Sequence, residues 1–245
     1  MTTQYIHIVI VPMRVAATLS IILLALLIAH VIGLVLAYGF GHSYVFGLVP
    51  LFNIAREGNI PTFFASSLLL FNGLLFLLLW RLSNREKKEK KIWLLLSLTF
   101  SFLAVDEFAM IHELLISPVR ETLNVGGLLF FAWVIPYTFI VIALGFIVAP
   151  FIWRLGARYR VLFGSSAAAY LSGAIFVEML GGKYYQSLNE TVNLNYRLFQ
   201  TVEELLEFTG LILLVYTLLE LIRTRAPVTQ IKIKCQPHAG NRASE

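Results

Sequence analysis

Long apolar stretches separated by short polar ones recur six times along this 245-residue chain, near 15–40, 61–82, 92–116, 127–152, 161–182 and 198–222. A helix needs about 20 apolar residues to cross the hydrocarbon core of a bilayer, and every stretch reaches that length. The pattern predicts an all-α, polytopic bundle of six transmembrane helices. The first run is too long for the apolar region of a cleaved signal peptide, so it is expected to remain as a span. On this reading residues 1–225 form one transmembrane domain. Residues 226–245 form a short polar tail, expected to be disordered.

Composition agrees, at 58% hydrophobic and 13% charged residues with mean hydropathy +0.79. A net charge of +5 and a pI near 9.4 would point to nucleic acid in a soluble protein. Here the bases sit in loops rather than on one face, so nucleic acid is not an expected partner. The run Arg81-Leu-Ser-Asn-Arg-Glu-Lys-Lys-Glu-Lys-Lys91, then Arg154, Arg158 and Arg160, then Arg223, Arg225, Lys232 and Lys234 all fall on one side of six crossings. The other side carries only Arg56, Arg120, Lys183 and Arg197. The positive-inside rule therefore predicts that both termini are cytoplasmic, with membrane lipids as partners. The basic loops can also meet anionic headgroups, although topology alone accounts for them. The single cysteine, Cys235, lies in the tail, which excludes a disulfide framework and a thiolate metal cluster. Oligomeric state leaves no signature.

Seven acids interrupt the apolar runs: Asp106, Glu107 and Glu113 in the third, Glu178 in the fifth, and Glu203, Glu204 and Glu207 in the sixth. An ionised acid at a bilayer centre costs roughly 2.5–3.5 kcal/mol on insertion scales, so these groups are expected to face one another and share protons, cations or water. A rise of about 1.5 Å per residue places Asp106 just outside the midplane and Glu113 roughly 10 Å further out. Glu178 and Glu203 come out about 10 Å beyond the centre and Glu207 about 5 Å. Three helices thus deliver acids to the outer half of the bilayer. On an unbroken helix Asp106 and Glu113 share a face, whereas His112 points away unless the helix ends first. Glu203, Glu204 and Glu207 are helical neighbours. Ser165, Ala169 and Gly173, and likewise Gly164, Ala168 and Ser172, form small-residue stripes that suit close packing in lipid. The acids of the third and sixth spans lie towards the same side, which argues against two inverted halves.

Three chemistries fit such a cluster. The first is a divalent metal site of Asp106, His112, Glu113, Glu178, Glu203 and Glu207, supported by Glu107, Glu204, Tyr184, Tyr185, Arg56 and Arg197. Carboxylates with one histidine suit Mn, Fe, Mg or Ca. Metal-dependent chemistry on a lipid or other membrane-soluble substrate would follow. The second is proton- or cation-coupled transport. The inner half offers it few polar groups: Ser97, Thr99, Ser101, Ser165, Ser166 and His30. The third is structural, with the acids paired to Arg56, Arg120, Lys183 and Arg197. Tyr184 and Tyr185 also suit interfacial anchoring. His30 reads as a helix-contact histidine, His42 as a loop residue, and His7 and His238 as tail residues. The loop from Phe52 to Pro61 is placed to complete the site.

The phrases Asn59-Ile-Pro-Thr62, Asp106-Glu-Phe-Ala-Met-Ile-His-Glu113 and Glu203-Glu-Leu-Leu-Glu207 resemble an uncharacterised family of bacterial multi-pass membrane proteins. That resemblance implies a bacterial plasma (inner) membrane location and no particular activity.

Overall fold

In the computed structural model, which describes residues 10–83 and 87–225, six helices are long and apolar enough to cross a membrane. The chain is an all-α bundle, with no strand among the described residues. Helix α1 (Pro12–Leu34) starts on a proline, whose missing N–H costs nothing at that position, and runs on through a π turn, Val35–Gly39. A short α2 (Leu48–Leu51) lies in the following loop. Helices α3 (Ile60–Leu82) and α4 (Lys87–Ala109) form a hairpin, and α5 (Ile116–Leu123) is a short surface helix. Helix α6 (Val134–Trp153) turns at Gly156 into α7 (Ala157–Leu171). A π stretch, Ser172–Val177, then joins α7 to α8 (Glu178–Ser187), so that the three make one span. The last span is α9 (Leu194–Arg225).

Five of the six expected runs match these spans with shifted ends. The third differs in kind. Its apolar run continues to 116, but the helix stops at Ala109 because Met110 takes a left-handed backbone (φ 55°). Hydropathy cannot register such a break, since the residues on both sides of it are apolar. Likewise, 127–133 is a short 3-10 turn and bend rather than the start of α6. The tail from 226, with Cys235, His238, Lys232 and Lys234, lies outside the described residues, as does His7.

Helix α9 is the axis of the bundle. Phe208, Val215, Thr217 and Leu218 are fully buried against α3 (Leu69, Phe76, Leu79) and α4 (Trp93). Trp93 stacks on Phe76 and meets Phe151 edge-on. Helix α6, by contrast, lies at the rim: only Val134 is buried, while Phe139 and Phe146 are 69% and 77% exposed. A helix apolar on all sides with so little protein cover is built to face lipid.

Without a hydrophobic drive between helices in lipid, close backbone approach and polar ties hold the spans together. Ser97 donates to the Gly73 carbonyl at 2.9 Å and Ser166 to that of Gly210 at 2.8 Å. His30, 1% exposed, ties α1 to the rest: its Nδ1 accepts from the Ile54 amide (3.2 Å) and its Nε2 meets the Thr201 hydroxyl (2.9 Å). The expected helix-contact histidine is thus present. The small-residue stripes are a correction. Gly164, Ser165 and Ala168 are exposed, and the face packed on α9 carries Ser166, Tyr170, Gly173, Ala174 and Val177. The π stretch inserts a residue into the register, which spacing alone cannot foresee.

At the end holding Arg81, Arg158 and Arg223, buried Glu220 pairs with Arg158 and Arg223, both at 2.8 Å. Glu89 bonds Arg225 and receives the Trp93 indole N–H. Sequence reasoning passed over Glu220, although two basic loops flank it.

A Cβ at Gly210 would stand 2.7 Å from the Tyr170 amide nitrogen, whereas one at Gly164 would meet nothing. Gly210→Leu should therefore cost about 1–3 kcal/mol by overpacking, with Gly164→Leu near neutral. Reversible unfolding in mixed detergent distinguishes the two.

Candidate functional site

The site begins with three irregularities of backbone. At the end of α4 the helix unwinds at Met110, and the Asp106 carboxylate accepts the His112 amide N–H at 2.8 Å. The chain folds back, bringing His112 Nδ1 within 3.4 Å of the same carboxylate. This meets the condition under which His112 joins the acids, and it replaces the shared helical face expected for Asp106 and Glu113. In the 52–59 loop, Asn59 caps α3 by accepting from the Thr62 amide, while its Nδ2 donates to the carbonyls of Pro50, Asn53 and Arg56. That clasp sets Glu57 3.6 Å from His112 Nε2. In the fifth span, the π stretch ends at Glu178. Gly173 within it lets α9 come so close that a Cβ there would stand 2.6 Å from the Glu203 carbonyl and 2.9 Å from Glu207 Cγ.

These elements enclose a cavity of about 550 Å³ at the end of the bundle opposite the Glu220 cluster. Its lining includes all seven acids singled out in the sequence, together with Glu57, His112, Arg56 and Arg197. Tyr137 donates to Asp106 Oδ2 at 2.9 Å. Trp133 donates to Glu178 at 3.0 Å and lays its ring 4.9 Å from that of His112. The Glu178 and Glu203 carboxyl groups lie within hydrogen-bonding reach of each other. Two carboxyls so placed cannot both ionise without cost. Asp106 is buried, Glu113 stands exposed at the rim, and the others are half-buried because their free surface is cavity wall.

Among the described residues, no ion pair joins the cavity acids to Arg56, Arg120, Lys183 or Arg197. Arg120 stacks on Phe130, and Arg197 donates to the Ala55 carbonyl (2.5 Å) and to Gln200 (3.0 Å). The paired arrangement expected of a structural cluster is therefore missing from this part of the chain. Among the described residues, His112 is the one base paired with the cavity acids. Burial by itself would weaken its hold on a proton, but hydrogen bonds and charge from Asp106 and Glu57 outweigh that and push the imidazole up to about 10. The second oxygen of Glu57 is buried without a hydrogen-bond partner.

Tyr184 and Tyr185 do not line the cavity. Tyr185 stacks on Tyr196 and Phe131, and the Tyr184 hydroxyl accepts from Asn193 and Asn195, so both serve an aromatic and polar cap beside it. Trp133, Tyr137 and Tyr170, which do line it, carry no signal within an apolar run. The oxygen-rich donor set suits hard cations. Even so, no three His, Cys, Asp or Glu groups among the described residues stand close enough to hold one ion as placed.

A family model described as "Domain of unknown function (DUF8692)" matches residues 19–221. No curated protein and no solved structure matches the chain.

Folding raises the proton affinity of His112 above its ordinary 6.5 to about 10, so this stabilisation is complete below pH 6.5 and gone above about 10. The gap in melting temperature between the parent chain and His112→Gln should shrink steadily across that window. A gap that stays constant would mean a neutral ring.

Proposed function

We propose, for a chain that belongs to the DUF8692 family and inherits no activity from it, that the carboxyl-lined cavity is a cation-binding site. It would open to the outer face of a bacterial plasma membrane, with both termini cytoplasmic and the basic loops inside. The observation that carries this reading is the charge balance. Eight carboxyl groups line one cavity, and none is ion-paired to an arginine or lysine among the described residues. Acids gathered in a low-dielectric slab stay there only if protons or cations neutralise them.

Two features favour protons or hydrated cations over a prebuilt metal cage. No close triad of ligands is in place. His112 is also engaged by carboxylates at both ring nitrogens, and a protonated ring has no lone pair for a metal. Beyond Glu207 the core closes with Phe208 and Leu211 of α9 and Leu69 of α3, with Asn72 among them. A pocket loaded from one side, able to couple cation or proton uptake to another event, suits this shape better than an open channel. Metal-dependent chemistry on a membrane-soluble substrate is the second reading. It draws support from the Glu178–Glu203 contact with Glu207 one turn along, a donor set to which Mn, Fe, Mg or Ca could be recruited.

Calorimetric titration of the purified chain with Na⁺, K⁺, Mg²⁺, Ca²⁺, Mn²⁺ and Fe²⁺ tests both. At least one ion should bind and release protons to buffer. Glu203→Gln with Glu207→Gln should weaken that binding roughly tenfold or more, as expected for lost charge-assisted contacts. Silence from every ion, with a variant that melts like the parent, would defeat the proposal. A transition metal retained through purification without chelator would favour the second reading.

A further inference from the structure

A second cavity, of about 410 Å³, lies behind the first, between the last turns of α1, the loop through α2 and the start of α9. Arg56 and Arg197 line both cavities and form the wall between them. The chemistry inverts across that wall. The second cavity has no carboxylate in its lining; its polar members are His30, Tyr38, Ser43, Asn53, Arg56 and Arg197.

Apart from the Tyr38 and Ser43 hydroxyls, which can give or accept, their free side-chain hydrogen-bonding capacity is that of donors. Both ring nitrogens of His30 are taken by Ile54 and Thr201. Asn53 Oδ1 accepts from the Ala55 amide, which leaves its NH₂ group to give. Arg197 spends Nη1 on Ala55 and Gln200, contacts that pin the guanidinium in the wall. The Arg56 guanidinium has no hydrogen bond or ion pair among the described residues. Two guanidinium groups, an amide and two hydroxyls thus converge on a space holding no acceptor of matching charge. Guanidinium forks match the paired oxygens of phosphate. The remaining walls are apolar and come from Val49 and Pro50 of α2 and from the end of α1, whose span ends at Gly39.

We infer that this second cavity binds a phosphate group, held by Arg56 and Arg197 and carried either by a lipid headgroup or by a soluble phosphate. The site is separate from cation binding and stands or falls independently of it.

Thermal unfolding of the full chain in a phosphate-free maltoside detergent provides the test, with phosphatidylglycerol, diacylglycerol and inorganic phosphate as probes. Phosphatidylglycerol should raise the melting temperature saturably and diacylglycerol should not. Arg56→Gln should weaken the apparent affinity roughly tenfold, while Arg120→Gln, outside both cavities, leaves it unchanged. The same Arg56 dependence with inorganic phosphate would assign the site to soluble phosphates; with the lipid alone, to headgroups. The Arg56 side chain has no partner to lose among the described residues, so the variant should fold, and circular dichroism checks this. No stabilisation by either phosphate probe, or stabilisation that survives Arg56→Gln, overturns the inference.

Discussion

Gathering carboxyl groups inside a slab of low dielectric is allowed only while something neutralises them, and this molecule is organised around that requirement. The close approach of α9 to α7 at Gly210 and to the π stretch at Gly173 brings Glu203 and Glu207 against the segment that ends at Glu178. The unwound end of α4 and the clasped 52–59 loop bring Asp106 and Glu57 to opposite sides of one imidazole. The first arrangement sets carboxyl groups against one another and is opposed by their ionisation, whereas the second sets two carboxylates against a base and is favoured by it. Among the described residues His112 is the one base paired with these acids; Arg56 and Arg197 also line the cavity but pair with none of them.

The two ends of the bundle handle charge differently. Glu220 is as buried as Asp106, yet it is clamped between Arg158 and Arg223. Truncating either partner of such a pair leaves an uncompensated buried charge, which is the economy of a structural lock. At the cavity end the arginines instead turn to carbonyls, aromatic rings and a second hollow. The same residue types thus serve cohesion at one end and leave acids available at the other.

Much of this was legible from hydropathy and helical rise. Six spans emerge because apolar run length is a direct consequence of bilayer thickness, and the acids fall in one slab because a fixed rise converts sequence offset into depth. What stayed hidden is local backbone conformation. Met110 with positive φ and the π stretch at Ser172–Val177 leave no mark on the apolar pattern. They nevertheless decide that His112 meets Asp106 and which face of α7 meets α9. Glu57 was visible only as a loop acid, because its position depends on three hydrogen bonds from one side-chain amide, that of Asn59. Tyr184 and Tyr185 were drawn towards the site by sequence proximity to Glu178, but nearly two turns of α8 carry them past it.

The histidine at the crossing of α1 and α9 has a further consequence. Because Nδ1 of His30 accepts an amide hydrogen, the ring carries its single hydrogen on Nε2 and gives it to Thr201, whose hydroxyl in turn gives its own to the Arg197 carbonyl at 2.6 Å. The sequence of donors ends on an acceptor that has nothing to pass on. Although it sits beside two charged hollows, this strand of hydrogen bonds is a cul-de-sac: a rivet between helices that insulates rather than conducts.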